Sequence, residues 1–151
     1  MTVRFNIETE SRGGYQALAS VEAYLRGCGV EHKLLELVKM RVSQINGCAF
    51  CLHMHSEDAR KQGETEARLH LLPAWHESQL YSARERAALA WAESLTDIAR
   101  THAPDEVHEQ ARAHFSAKEL SDLTIAIAMI NSWNRLAIAA RTIHPSDRRS
   151  T

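Results

Sequence analysis

The residues of this chain with the clearest chemical potential are two cysteines and a histidine in the stretch 46–55, NGCAFCLHMH. Cys48 and Cys51 stand three positions apart, and His55 follows Cys51 by four. The spacing fits a redox-active thiol pair, part of a metal site, or two buried sulfurs with a structural use only. With three cysteines in all, the chain is not built on disulfides, which favours a catalytic or metal-binding use of the close pair.

A helix that begins at the cysteines would align the three reactive side chains. Because each helical residue turns by about 100°, Cys48, Cys51 and His55 would share one face, whereas Phe50 and His53 would point elsewhere. Unpaired N–H groups and the helix dipole at such a start stabilise a thiolate. His55 would stand one turn beyond Cys51, where it can take or relay the thiol proton.

A carboxylate from the preceding helix is expected beside this histidine. The Asn-Gly pair at 46–47 predicts a tight reversal between two antiparallel helices. With a rise of about 1.5 Å per residue, Glu36 then lies alongside His55. There it would orient the imidazole and raise its basicity, as the third member of a catalytic triad does. The geometry predicts a Glu36–His55–Cys51 relay with Cys48 as the resolving thiol.

Other interpretations of these residues stay open. Glu36 also suits a solvated position paired with a neighbouring lysine, and His55 suits a core position. A zinc ion would find three ligands in Cys48, Cys51 and His55, with Glu36 or an outside group as the fourth. Structural zinc sites usually take a second ligand pair from another CxxC or HxxxH, which is missing here. Neither a metal nor a cofactor is therefore predicted.

An all-α fold is predicted to position these residues, because alanine and leucine are abundant and alternating stretches are few. Helices are expected over about 14–26, 31–45, 48–62, 64–71, 82–95, 104–114 and 116–142. Capping-box patterns begin at Ser82 and Ser116. An apolar stripe at helical spacing is expected on the second helix, at Leu35, Val38, Val42 and Ile45.

The longest predicted helix is apolar on more than one side. Leu123, Ile127 and Ile130 lie on one side, and Ile125 and Met129 lie on another. A helix with this pattern must be covered nearly all round, which predicts a homo-oligomer.

Size, charge and hydropathy set the class of protein. The 151 residues, 44% hydrophobic and 25% charged, predict one globular domain over 1–151, with an N-terminal arm at 1–12 and a polar tail at 144–151. A net charge of −1 gives no electrostatic support for nucleic-acid binding. The polar start lacks the apolar core of a secretory signal, and the longest apolar run, IAIAMI, is short for a membrane span. A cytoplasmic protein without a membrane anchor is predicted.

The stretch 36–55, ELVKMRVSQINGCAFCLHMH, resembles the core motif of the alkylhydroperoxidase D (AhpD)-like, or carboxymuconolactone decarboxylase, family. That motif has a glutamate twelve residues before the first cysteine, then CxxC, then a histidine four after the second cysteine. The matching residues are Glu36, Cys48, Cys51 and His55. YSARERAALAWAESLT and DLTIAIAMINSWNRLAIAAR also resemble the family's downstream stretches, so the similarity runs from about residue 15 to 143.

The resemblance implies an AhpD-like helical bundle that assembles as trimers or hexamers and reduces hydroperoxides with thiols. It implies that Cys51, activated through His55 and Glu36, becomes a sulfenic acid, and that Cys48 then closes the disulfide. The implied electron donor is a dihydrolipoamide-type dithiol or another thiol carrier. Some AhpD members hold a histidine between the cysteines. Here Phe50 stands there as an apolar lip, which predicts less efficient peroxidase turnover with redox activity retained.

Three other functions are alternatives to the peroxidase. A redox adaptor would pass electrons between a carrier and a separate peroxidase. A decarboxylase would act on a lactone acid, but such enzymes do not need the dithiol that is intact here. A zinc-binding module would use the cysteines as structural ligands.

Elsewhere in the chain, four further residues have an expected location. The core, the pocket or a subunit contact is expected for Asn131, Trp133 and Asn134, and a tight turn is expected for Cys28.

Overall fold

Helices make up the regular structure of the computed structural model, which describes residues 2–144. The α-helices in this range are α1 (Ile7–Glu10), α2 (Arg12–Leu25), α3 (His32–Asn46), α4 (Ala49–Lys61), α5 (Glu66–Leu71), α6 (Ala83–Thr96), α7 (Ile98–Thr101), α8 (Asp105–Arg112) and α9 (Ala117–Ala140). A 3₁₀ turn, Leu72–Ala74, follows α5, and no strand occurs among the described residues. The predicted all-α class is confirmed. Apart from His144, the predicted polar tail lies outside the described residues.

The central helix of the bundle is α3, which packs against α4, α6 and α9. Leu35, Val38 and Val42 are buried as predicted, and each buried aliphatic side chain of this kind stabilises the fold by about 1.5–3 kcal/mol. Ile45, predicted in the same stripe, is instead 40% exposed. It lies in the last turn of α3, where it lines an open surface cleft rather than the core.

The reversal between α3 and α4 depends on a glycine. Gly47 has φ +70°, a left-handed conformation that most side chains rarely adopt, and its N–H caps the end of α3. Cys48 follows as the N-cap of α4 rather than as its first helical residue. The two helices therefore run antiparallel, as the Asn-Gly signal predicts.

The ends of the remaining helices agree partly with the predictions. Both predicted capping boxes are present, at Ser82 and at Ser116. The predicted helix over about 64–71 ends at Leu71 as α5, and Pro73 lies within the 3₁₀ turn that follows it. The helices α1 and α7 are single turns, too short to leave a periodic pattern in the sequence.

The longest helix, α9, is long and apolar enough by length and composition to cross a membrane, although the IAIAMI run alone is short. Leu123, Ile127 and Ile130 are buried against the other helices, and a core helix passes the same test. On the second apolar side, Met129 is buried but Ile125 is 40% exposed. The helix therefore needs no membrane to explain its composition, and the homo-oligomer stays a prediction.

Candidate active site

The two cysteines of the motif lie at the N-terminus of α4 and form a disulfide. Their Cα atoms are 5.3 Å apart, and Cys48 and Cys51 are 1% and 2% exposed. The Cys51 N–H donates to Sγ of Cys48 over 3.3 Å, so the first sulfur also caps the helix. The predicted juxtaposition of the two sulfurs is present, at a helix end that stabilises negative charge.

The predicted carboxylate lies beside the histidine. Nδ1 of His55 is 2.7 Å from Oε2 of Glu36, and both side chains are largely buried. Because an ionised carboxylate only accepts hydrogen bonds, Nδ1 carries the proton of this contact. In the neutral ring Nε2 then has a free lone pair, which is the form that a proton acceptor needs.

A lysine and a second glutamate extend this pair. Nζ of Lys39 lies 3.7 Å from Oε1 of Glu36 and 3.1 Å from Oε2 of Glu22. The alternative pairing of Glu36 with a neighbouring lysine thus occurs together with the His55 contact, not instead of it. Glu22 comes from α2 and was not predicted, because its part depends on a contact between helices that no local spacing encodes.

A cavity of about 940 Å³ opens onto the site. Cys51, His55 and Glu36 line it together. Its apolar lining comes from four helices and from the N-terminal arm, and includes Phe5, Tyr15, Phe50, Met54 and Trp133. The arm is held over the end of α9 by the Arg4 N–H, which donates to the Ala140 carbonyl over 3.0 Å. The arm therefore forms part of the cavity wall.

Phe50 and His53 differ in their relation to this cavity. Phe50 lines it beside Cys51, as the expected apolar lip, so it does not point away from the reactive face as the helical wheel predicts. His53 is not among the lining residues; its ring packs against His144, with centroids 4.4 Å apart, and Nε2 is 3.5 Å from Glu57. His53 thus does not replace the missing relay histidine.

The asparagines near the end of α9 secure the α3–α4 turn. The Asn46 amide donates to Oδ1 of Asn131 over 3.0 Å and to Oδ1 of Asn134 over 2.9 Å. Asn134, fully buried, donates in turn to Oγ of Ser43. Of the residues expected in either core or pocket, only Trp133 lines the cavity.

A metal site is poorly supported by the donors present. Glu36, His55 and Asp58 bring one ligand atom each within 4.8 Å of one another. Both carboxylates already have lysine partners, however. Lys61 lies 2.7 Å from Asp58, and this hydrogen bond raises the pKa of Lys61. The sulfurs, the ligands of the zinc alternative, are bonded to each other. Cys28 is a buried free thiol that does not line the cavity.

Comparison with known proteins agrees with this architecture. The model of the carboxymuconolactone decarboxylase family matches residues 13–94. The protein YdfG of Bacillus subtilis (strain 168) is 44% identical over 126 residues, which is 83% of this chain and 86% of YdfG. A crystal structure of an Agrobacterium tumefaciens protein, whose name links it to AhpD and antioxidant defence, is 42% identical with a TM-score of 0.92. The match covers 95% of this chain and 99% of that one.

A more distant similarity concerns the fold alone. The crystal structure of the debrominase Bmp8 superposes with a TM-score of 0.81 at 19% identity, over 91% of this chain and 74% of that one. A protein named as a debrominase therefore has the same helical arrangement, so the fold alone assigns no activity to this chain and the site must carry the functional argument.

Proposed function

The chain belongs to the carboxymuconolactone decarboxylase family, as its motif predicts, and from that membership we propose that it is a thiol-dependent peroxidase that reduces hydroperoxides in the cytoplasm. Family and CxxC pair support a redox-related role. One observation supports the finer proposal most. Cys51, paired with Cys48, lines one cavity together with the hydrogen-bonded His55 and Glu36.

The first proposed step creates the nucleophile in the reduced protein. The Cys51 thiol transfers its proton to Nε2 of His55, directly or through one water, and leaves a thiolate. Glu36 stabilises the imidazolium through the proton on Nδ1. The N-terminus of α4 stabilises the thiolate, because its unpaired N–H groups carry partial positive charge.

The second proposed step is reduction of the peroxide. The thiolate sulfur attacks the outer oxygen of R–O–O–H, the O–O bond breaks, and the alkoxide leaving group takes the proton back from His55 as the alcohol. Cys51 is oxidised by two electrons to the sulfenic acid. The apolar lining of the cavity suits an organic R group.

Resolution follows at the first cysteine. The Cys48 sulfur attacks the Cys51 sulfenic acid and releases water, which gives the disulfide. A small dithiol, of dihydrolipoamide type or another thiol carrier, then reduces this disulfide by two exchange steps and becomes a disulfide itself. We also propose that the working form is a homo-oligomer, a trimer or a hexamer.

The decisive experiment is a direct assay without any partner protein. The purified chain is mixed with hydrogen peroxide or cumene hydroperoxide and a small dithiol, and consumption of peroxide is followed. The wild type should turn over, and Cys51→Ser should not. If Cys51→Ser keeps full activity, the assignment is wrong. If the wild type exchanges thiols but consumes no peroxide, the protein is a redox adaptor instead.

A further inference from the structure

The ammonium group of Lys39 is enclosed by the wall of the active-site cavity. The residue is only 9% exposed, and its Nζ lies between the carboxylates of Glu22, at 3.1 Å, and Glu36, at 3.7 Å. A charge in such a place must be paired, since desolvation of an unpaired ammonium costs several kcal/mol. Lys39 therefore has a defined position rather than the mobility of a surface lysine.

Glu22 is in turn fixed from the opposite side. Its Oε1 accepts a hydrogen bond from Nε1 of Trp133 over 3.0 Å, while its Oε2 faces Lys39. The chain of contacts runs from α9 through α2 and α3 to His55 on α4. Every member of the chain lines the cavity.

From this order of charges we propose that Lys39, held by Glu22, is a positioning residue: it keeps Glu36 against His55 and offsets negative charge that would disfavour the Cys51 thiolate. The proposal rests on the proposed function in one respect, that Cys51 is the reactive thiol. This role needs no contact between Lys39 and the sulfur of Cys51. Lys39 acts by holding Glu36 in place through their contact at 3.7 Å, and by offsetting one of the two negative charges behind the imidazole.

The charge count gives the sign of the effect. Glu22, Lys39 and Glu36 together carry −1 at neutral pH. Loss of the lysine charge would make this −2, and the more negative potential would disfavour a thiolate at Cys51. Loss of the Glu22 charge would make it 0, and the thiolate would be favoured, because Glu22 bonds Lys39 and Trp133 and not the imidazole that Glu36 stabilises. The two substitutions therefore have opposite expected effects.

Other titratable groups face the same cavity: Glu8, Tyr15, Arg26, His32, Asp58 and Lys61. Asp58 is paired with Lys61, and Nε2 of His32 contacts the Arg26 carbonyl, so Asp58, Lys61 and His32 have partners of their own. The residues that α9 contributes to the described lining are uncharged. Asp58 also brings an oxygen within 4.8 Å of the Glu36–His55 pair, but Lys61 offsets its charge. The remaining charges beside the pair are those of Lys39 and, behind it, Glu22.

The test measures how fast iodoacetamide alkylates Cys51 as a function of pH. A Cys48→Ser background prevents disulfide formation, and mass spectrometry of the peptide identifies the modified residue. Lys39→Met should move the midpoint of the pH profile upward by about 0.5–1 pH unit. This is the size expected when one charge is removed from the wall of a partly screened site. Lys39→Arg should keep the midpoint near that of the background protein.

Glu22→Gln retains the shape of the side chain and should move the midpoint downward. A role in packing alone would move both variants in the same direction or neither. Lys118→Met, which removes an exposed ammonium outside the cavity, is the matched control. The proposal is overturned if the Lys39→Met midpoint equals that of this control, or if Glu22→Gln moves upward. Should Lys39→Met not fold, the direction of the Glu22→Gln shift decides.

Alkylation reports the thiolate and not peroxide turnover, so the two proposals can fail separately. Opposite shifts in a protein that consumes no peroxide would retain the role of Lys39 and end the peroxidase assignment. Peroxidase activity with unmoved midpoints would do the reverse.

Discussion

Nδ1 of His55 lies 2.7 Å from Oε2 of Glu36, although 19 positions separate the two residues in the chain. The contact joins α4 to α3 across the turn at Gly47. It selects the tautomer with the proton on Nδ1 and leaves Nε2 as the acceptor. The pair gives the first prediction, because its carboxylate can be neutralised with almost no change of shape.

Glu36→Gln should slow oxidation of the reduced protein by cumene hydroperoxide by about tenfold to a hundredfold, toward the lower end of general-base effects. The amide no longer stabilises the imidazolium that forms when the thiol loses its proton. Stopped-flow fluorescence or quenched-flow thiol counting would give the rate constant. Glu57→Gln removes a carboxylate of α4 that does not line the cavity and should react as the wild type does. Equal rates for both variants would remove Glu36 from the relay.

Cys48→Ser should separate the two halves of the reaction. Without the resolving sulfur, Cys51 should still react once with peroxide and then persist as a sulfenic acid, which dimedone traps as an adduct visible by mass spectrometry. Turnover with dithiol should fall, while the first oxidation remains. Serine is also a good N-cap residue, so α4 should keep its start. An adduct on residue 48 of Cys51→Ser, and none in Cys48→Ser, would reverse the two roles.

Part of this site is predictable from sequence because it depends on local geometry. The Asn-Gly turn and the helical rise are enough to place Glu36 beside His55, since both lie close to the same reversal. The place of Glu22 follows instead from its bonds to Lys39 of α3 and Trp133 of α9, and the place of the arm follows from a backbone bond to Ala140. Neither contact leaves a periodic signal in the chain.

The two wrong predictions, for the burial of Ile45 and the direction of Phe50, have the same physical origin. The stripe on α3 is helical through Ile45, but Ile45 faces an open surface cleft, whereas Ser43 in the same last turn is fully buried. Phe50 is off the reactive face of an ideal wheel, yet the cavity is wide enough for its ring to reach the lining. Periodicity gives the direction of a side chain; the neighbouring helices decide whether that direction is core, cavity or solvent.

Asn134→Ala should destabilise the fold by about 1–3 kcal/mol, because the fully buried amide serves Asn46 and Ser43 and its loss leaves both without that partner. The change should be seen as a lower free energy of unfolding in urea. Ser132→Ala on the same helix is the control, since its hydroxyl donates to a carbonyl of α9 itself. A loss no larger than in the control would show that the α3–α4 turn holds without this network.

The capping box of α9 predicts a loss of stability in acid. The Ser116 backbone N–H, the Ser116 side chain and Arg84 lower the pKa of Glu119 to about 2, from 4.5. A carboxyl whose pKa is lower in the folded state contributes stability above its unfolded pKa, and this contribution disappears as the pH falls from about 4.5 through 2. Glu119→Gln should therefore be less stable than the wild type at pH 7.

Urea unfolding of both proteins across this acid range provides the measurement. The difference in unfolding free energy between wild type and Glu119→Gln should shrink steadily as the pH falls below 4.5. A difference that stays constant with pH would mean that the carboxylate charge does not contribute and that the box acts through its hydrogen-bond geometry alone.

Phe50, one of the two residues between the cysteines, gives the last prediction. Phe50 lines the cavity beside Cys51, at the position where some AhpD proteins carry a histidine. Phe50→His would place a second imidazole at the mouth of the site, able to pass protons between solvent and the His55 ring. Turnover of cumene hydroperoxide with dithiol should rise by about tenfold, less than the roughly hundredfold that a fully positioned proton-transfer group contributes. Phe50→Leu, which opens similar space without a titratable group, should show no such gain. If the leucine variant accelerates equally, access to the cavity limits the wild-type rate, and the missing relay histidine is not what slows it.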